Sequence, residues 1–143
     1  MKSARTLITI CLLLTAVTLF AQTTPSQRLM TVNIPFAFSA EDHSLPEGKY
    51  LVLTVTPERL IRIVSIDGKH SAIVHTLPNY ASGPSQNSRL VFHRYGNEYF
   101  LAQVWTASQN VARNPLSSKK AMENASSGVA PQTFTILALT DHR

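Results

Sequence analysis

The chain has a single cysteine in 143 residues, and that residue, Cys11, lies inside the apolar run Leu7–Phe20. The rest of the chain therefore has no disulfide and no thiol chemistry, and its stability must come from packing. Glycine is scarce, at five residues, and none of them forms a Gly-rich phosphate loop. Charged side chains make up 15% of the chain, and the acids are too scattered to suggest the paired carboxylates of a glycosidase. There is no G-x-S-x-G elbow, and the histidines, His43, His70, His75, His93 and His142, form no H-x-H or H-x-x-x-H pair. Ser117-Ser118-Lys119-Lys120 matches S-x-x-K, but neither S-D-N nor K-T-G follows, and the chain is too short for the penicillin-recognising fold. No metal and no cofactor is called for.

What is present begins at the N-terminus. Lys2 and Arg5 precede the apolar run, and Ala21-Gln22 offers a cleavage point. This pattern predicts a signal peptide over residues 1–21 and a destination in the periplasm or outside the cell. The run is shorter than the ~20 apolar residues of a spanning helix, so no stable membrane span is expected after cleavage. Cleavage also removes two of the basic residues behind the net charge of +5. The remaining cations are scattered apart from Lys119-Lys120, which is no footprint for nucleic acid. Residues 22–28 are polar and read as a flexible leader, leaving 29–143 as a single β-domain.

Within that domain the apolar residues recur with period two. Val32, Ile34, Phe36 and Phe38 share one side of Leu29–Ser39, a strand that Pro35 confines to an edge or a bulge. Leu45-Pro46-Glu47-Gly48-Lys49 is a turn, and Tyr50–Val55 a strand after it. Leu60–Ile66 and Ser71–Leu77 flank Asp67-Gly68-Lys69 as a hairpin, with apolar residues on both faces. Pro78–Ser88 and Thr106–Pro115 read as loops. Ser117–Ala125 suits one short helix capped by Ser117, and Thr133–Leu139 a closing strand. The expected fold is all-β: an antiparallel β-sandwich or small barrel of about seven or eight strands, with at most one short helix near the C-terminus.

The most informative stretch is Arg89–Trp105, RLVFHRYGNEYFLAQVW. Gly96-Asn97 suits a type II′ turn, with the positive φ at glycine. A two-residue loop then sets Tyr95 opposite Glu98, Arg94 opposite Tyr99 and Phe92 opposite Leu101. Strict alternation groups Tyr99, Leu101, Gln103 and Trp105 on one face of the second arm, against Phe100, Ala102 and Val104. Neither face is polar throughout, so the hairpin belongs in the middle of a sheet. His93, Arg94, Tyr95, Tyr99, Gln103 and Trp105 form the best polar-aromatic set, and such side chains favour binding surfaces. The alternative is that they finish the core and cover its rim.

Val32-Asn33-Ile34-Pro35-Phe36-Ala37-Phe38, Leu45-Pro46-Glu47-Gly48-Lys49-Tyr50, Leu90–Gly96, Tyr99-Phe100-Leu101 and Val104-Trp105 occur in this order. Together they resemble small exported proteins of Acidobacteria. The resemblance covers most of the mature chain and implies a bacterial, exported, single-domain protein; it supplies no substrate, cofactor or catalytic residue. The expected function is a non-enzymatic binding or structural protein of the cell envelope, its partner an envelope protein or a glycan. The alternative is a small periplasmic enzyme with a site built from His75, His93 and a loop acid. A purely structural subunit that pairs through the strand around Pro35 is a third expectation.

Overall fold

A computed structural model describes residues 26–57 and 59–139. The expected signal peptide lies outside the described residues, as does most of the expected leader. Gln27 and Arg28, the last two leader residues, are instead strand. The strands are β1 (Gln27–Ile34), β2 (Phe38–Ala40), β3 (His43–Leu45), β4 (Gly48–Thr56), β5 (Leu60–Ser65), β6 (Ser71–Tyr80), β7 (Arg89–Tyr95), β8 (Glu98–Trp105), β9 (Val111–Pro115) and β10 (Gln132–Leu137). One helix, α1 (Lys119–Ser126), precedes β10. The fold is all-β with a short helix near the C-terminus, as the sequence predicts, but the described residues form ten strands rather than seven or eight. The extra strands are short. The Leu29–Ser39 strand breaks at Pro35 into β1 and β2, a three-residue β3 sits in the Glu41–Lys49 connection, and β9 forms at the end of the Thr106–Pro115 loop.

Hydrogen bonding runs in the order β1-β4-β5-β6-β9-β8; β8 then pairs both with β7, which carries β10, and with β2, which carries β3. All pairings are antiparallel except β2 with β8, which meet in parallel at Ser39 and Phe100. β6 turns the corner of the fold. Its first half, Ser71–His75, pairs with β5, and its second half, Thr76–Tyr80, pairs with β9. A strand that changes partners in this way lets one mixed sheet fold over a single core. The sheet does not close into a barrel. β10 returns to β1 through one hydrogen bond, from Leu139 N–H to the Thr31 carbonyl at 2.8 Å, with no ladder beyond it.

Alternation decides what fills the core. Val32 and Ile34 of β1, Val52 of β4, Ile61 and Ile63 of β5, Val74 of β6 and Leu90 and Phe92 of β7 are fully buried. Each such side chain contributes about 1.5–3 kcal/mol of transfer free energy. Phe92 is central: its ring meets Phe36 and Phe38 edge to face, at 5.2 and 5.4 Å between centroids. The outer face of the β5–β6 hairpin is not a second core face, because Ile66 and Ile73 are about half exposed.

The Leu45–Tyr50 turn is fastened by its own tyrosine. Tyr50 is 1% exposed, and its O–H donates to the Pro46 carbonyl at 2.6 Å. Gly48 between them has φ +152°, a backbone that side chains rarely adopt. The β5–β6 turn is held by Asp67, whose Oδ1 accepts from Ser65 Oγ at 2.5 Å and from Lys69 N–H at 3.1 Å. These bonds, Ser65 first, hold the Asp67 carboxyl below its ordinary value.

Candidate functional site: a cleft between the central hairpin and the helix

The β7–β8 hairpin has the predicted pairs: Tyr95 with Glu98, Arg94 with Tyr99, Phe92 with Leu101. Gly96 has φ +60°, as the type II′ turn requires. Beyond Leu101 the register shifts, so that Gln103 stands opposite Val91 and Val104 opposite Leu90. Ala102 is therefore bulged out of the ladder, and the faces exchange. Val104 turns into the core and is fully buried. Gln103 and Trp105 turn outward. This corrects the strict alternation expected for the second arm.

Alternation from the turn, together with the bulge, divides the six candidate residues. Arg94 and Tyr99 lie at the inner rim. Tyr99 stacks on Phe36 at 3.8 Å and meets Phe134 edge to face at 5.4 Å, while the Arg94 guanidinium lies 5.4 Å from the Tyr99 ring. Arg94 is also tied to its own turn, donating from Nε to the Gly96 carbonyl at 2.6 Å. These two residues seal the end of the core. His93, Tyr95, Gln103 and Trp105 face outward. Trp105 stands apart, under the Arg89 guanidinium at 4.9 Å, with its indole N–H donating to Gln103 Oε1 at 3.0 Å.

His93, Tyr95 and Gln103 line a cleft of about 330 Å³, within the range of small-molecule sites. Its other walls are Ser39 and Glu41 from β2 and the turn after it, Asn114 from β9, Ser117, and Ser118 and Ala121 at the start of α1. No Lys or Arg lines it; its titratable lining side chains are Glu41, His93 and Tyr95. Sequence reasoning finds the hairpin wall, where the three residues share one strand pair. It misses Glu41, Asn114 and α1, which only the tertiary fold brings there.

Two of those residues are unusual. Glu41 has φ +52°, a conformation costly for a side chain with a Cβ. It is held there by His75: Glu41 Oε2 accepts from the His75 backbone N–H at 2.9 Å, and Oε1 meets the ring Nδ1 at 3.2 Å. A carboxylate only accepts, so Nδ1 carries the proton in this bond. Glu41 is an acid beside His75, but the His75 ring does not line the cleft where His93 lies. Asn114 is the second case. Its Oδ1 is shut off from solvent and accepts no hydrogen bond, a cost of about 1–3 kcal/mol.

The helix covering the cleft is lightly held. Ser118, not Ser117, is its cap: Ser118 Oγ accepts from Ala121 N–H at 3.1 Å. None of its residues is buried, and Asn124 Nδ2 is a further enclosed polar atom without a hydrogen bond. Lys120 forms an ion pair with Glu98 of the hairpin turn.

Among the described residues, no three His, Cys, Asp or Glu side chains are grouped to hold a metal ion, and no helix is long and apolar enough to cross a membrane. Compared with protein-family models, curated proteins and solved structures, the chain matches none.

Proposed function

We propose that the chain is an exported, non-enzymatic binding domain of the bacterial cell envelope, and that the cleft under α1 is where it holds a small uncharged ligand. The observation that carries the reading is the cleft lining: amides and hydroxyls from Gln103, Asn114, Ser39 and Tyr95 on strands and from Ser117 just before α1, with no Lys or Arg among them. Sites of this kind orient a polar ligand through a few fixed groups. The signal-peptide pattern and the resemblance to small exported proteins of Acidobacteria support the envelope assignment. Fractionation of cells expressing the full chain tests the location; recovery from the cytoplasm alone would sink it. Calorimetry against soluble envelope glycans tests the binding, and heat that persists unchanged after Gln103→Ala or Tyr95→Ala would remove the cleft as the site.

A second reading, a small periplasmic enzyme, is favoured by one contact. Glu41 orients the His75 imidazole and itself reaches the cleft that holds His93. A carboxylate-oriented imidazole suits general-base catalysis. Turnover of any envelope ester or amide that is abolished by both His75→Ala and His93→Ala would establish it over the first.

A further inference from the structure

An antiparallel sheet with one face on the core commonly turns polar side chains to water on the other. The outer face of β1, β4, β5 and β6 departs from this. Register shows which side chains share it. Thr31, Leu51, Val64 and Ser71 form one row across the four strands, and Arg28, Leu53, Arg62 and Ile73 the next. Ile66, whose N–H bonds the Lys49 carbonyl at 2.9 Å, extends the field at one end, and Leu60, opposite His75, at the other. Leu51, Leu53, Leu60 and Val64 are partly exposed, and Ile66 and Ile73 are 53% and 51% exposed. The helix α1 lines the cleft and leaves this face uncovered. A contiguous exposed apolar field of this kind marks an interaction surface.

The charges on the face are of one sign. Arg28, Lys49 and Arg62 are exposed cations, and no Asp or Glu lies on any of the four strands. The acids at its margins sit in turns: Glu47 before β4, Asp67, which Lys69 meets at 3.9 Å, and Glu41, which His75 engages. Arg62 stands in the middle of the field, between Leu53 and Ile73 across the sheet and between Leu60 and Val64 along its strand. It joins none of the ion pairs among the described residues.

That central cation selects the occupant. Two copies packed face to face about a two-fold axis would bring their Arg62 guanidinium groups together in a desolvated apolar contact, with no acid on either face to pair them. Protein interfaces are anchored mainly by aromatic side chains, Met and Arg, and no Phe, Tyr, Trp or Met stands among the outward residues of this face. A surface of anionic lipids meets both properties at once. It takes aliphatic side chains without demanding a matching shape, and it offers phosphates to the cations. The long stem of an arginine lets its guanidinium stay at the headgroups while its apolar neighbours go deeper.

We propose that this face is a peripheral docking surface for an anionic phospholipid bilayer, with Ile66 and Ile73 entering the acyl boundary and Arg28, Lys49 and Arg62 on the headgroup phosphates. The proposal stands whether or not the cleft binds a ligand.

The test is co-sedimentation of the full chain with vesicles of phosphatidylglycerol mixed with phosphatidylcholine and with vesicles of phosphatidylcholine alone, joined to NMR on vesicles that carry a nitroxide lipid. Every variant keeps residues 1–25, so any affinity of the apolar run Leu7–Phe20 is common to all of them. The expected result is at least about tenfold stronger partition to the phosphatidylglycerol vesicles, since each cation near the surface is worth about fivefold. Arg62→Glu should lower that partition at least about tenfold and Arg62→Lys should largely retain it. Ile73→Ser should lower it at least about threefold. The nitroxide should broaden the amide signals of Leu53, Arg62 and Ile73. All substitutions are at exposed positions, and if one variant fails to fold, the other and the broadening still report. Equal partition of wild type and Arg62→Glu overturns the proposal, as does equal binding to both vesicle types or broadening that misses the face. A dimer in sedimentation equilibrium, with shifts on this face and no vesicle binding, overturns it in favour of a second copy.

Discussion

Replacing Tyr50 by Phe separates the hydrogen bond of this side chain from its packing. The ring is buried against Phe38, edge to face at 5.5 Å, and Phe keeps that contact. What is lost is the 2.6 Å bond from the phenol O–H to the Pro46 carbonyl. Pro46 is exposed, so water can take up the freed carbonyl, and the cost is that of one ordinary hydrogen bond, about 1 kcal/mol. For a domain of this size that lowers the Tm by about 4 °C. The gap depends on pH. Burial, with the Asp67 carboxylate as the lesser cause, raises the Tyr50 pKa above 10.0. A raised folded-state pKa supports folding below the unfolded value, and that support is lost as pH rises through the folded value. Tyr50→Phe has no phenol to ionise, so its deficit relative to the wild type should shrink above about pH 10. Urea unfolding followed by far-UV circular dichroism at pH 7, 9, 10 and 11 measures both. A deficit above about 3 kcal/mol at pH 7, or one that stays constant to pH 11, would refute a buried neutral phenol clipped to Pro46.

Three further outcomes are expected. Val104→Asn should destabilise the fold by several kcal/mol, as a polar group in a fully buried site does, while Gln103→Ala should cost under about 0.5 kcal/mol; the reverse order in urea melts would mean that the Ala102 bulge is absent. Asp67→Asn should flatten the acid limb of stability: the lowered carboxyl supports folding above its ordinary value and the support is lost as pH falls through the lowered one, so a variant that still tracks the wild type in acid melts contradicts the Ser65 and Lys69 bonds. Lys120→Ala should change stability by less than about 1 kcal/mol, since the pair with Glu98 is exposed, yet hasten proteolytic cleavage within α1; unchanged cleavage would show that the ion pair does not hold the helix.

The hairpin pairings were legible because a two-residue turn leaves only one register, and Gly96-Asn97 marks that turn locally. The bulge was not, since Ala102 carries no signal and its displacement follows from the need to bury Val104 opposite Leu90. β9 read as a loop because Arg113 and Pro115 are poor strand residues in isolation. In the fold, Arg113 is buried and donates to Thr106 Oγ1 and Gln109 Oε1, both at 3.3 Å, so that the cation fastens the preceding loop. Half of the candidate site was visible, as His93, Tyr95 and Gln103 lie on one hairpin. Glu41 and Asn114 come from segments more than seventy residues apart, and local periodicity holds no trace of such a meeting. Arg94 and Tyr99 were grouped with the outward residues by composition, and parity at the turn assigns them to the core rim.

The single bond from Leu139 to Thr31 also bears on how the chain assembles. It joins residues more than a hundred positions apart, and long loops are the slowest to close. β4 can zip onto β1 and β5 early in folding, whereas the contact at Thr31 waits for the far end of the chain. That bond engages only the Thr31 carbonyl and no ladder follows it, so β1 remains a sheet edge in the finished fold, open to pairing with another chain.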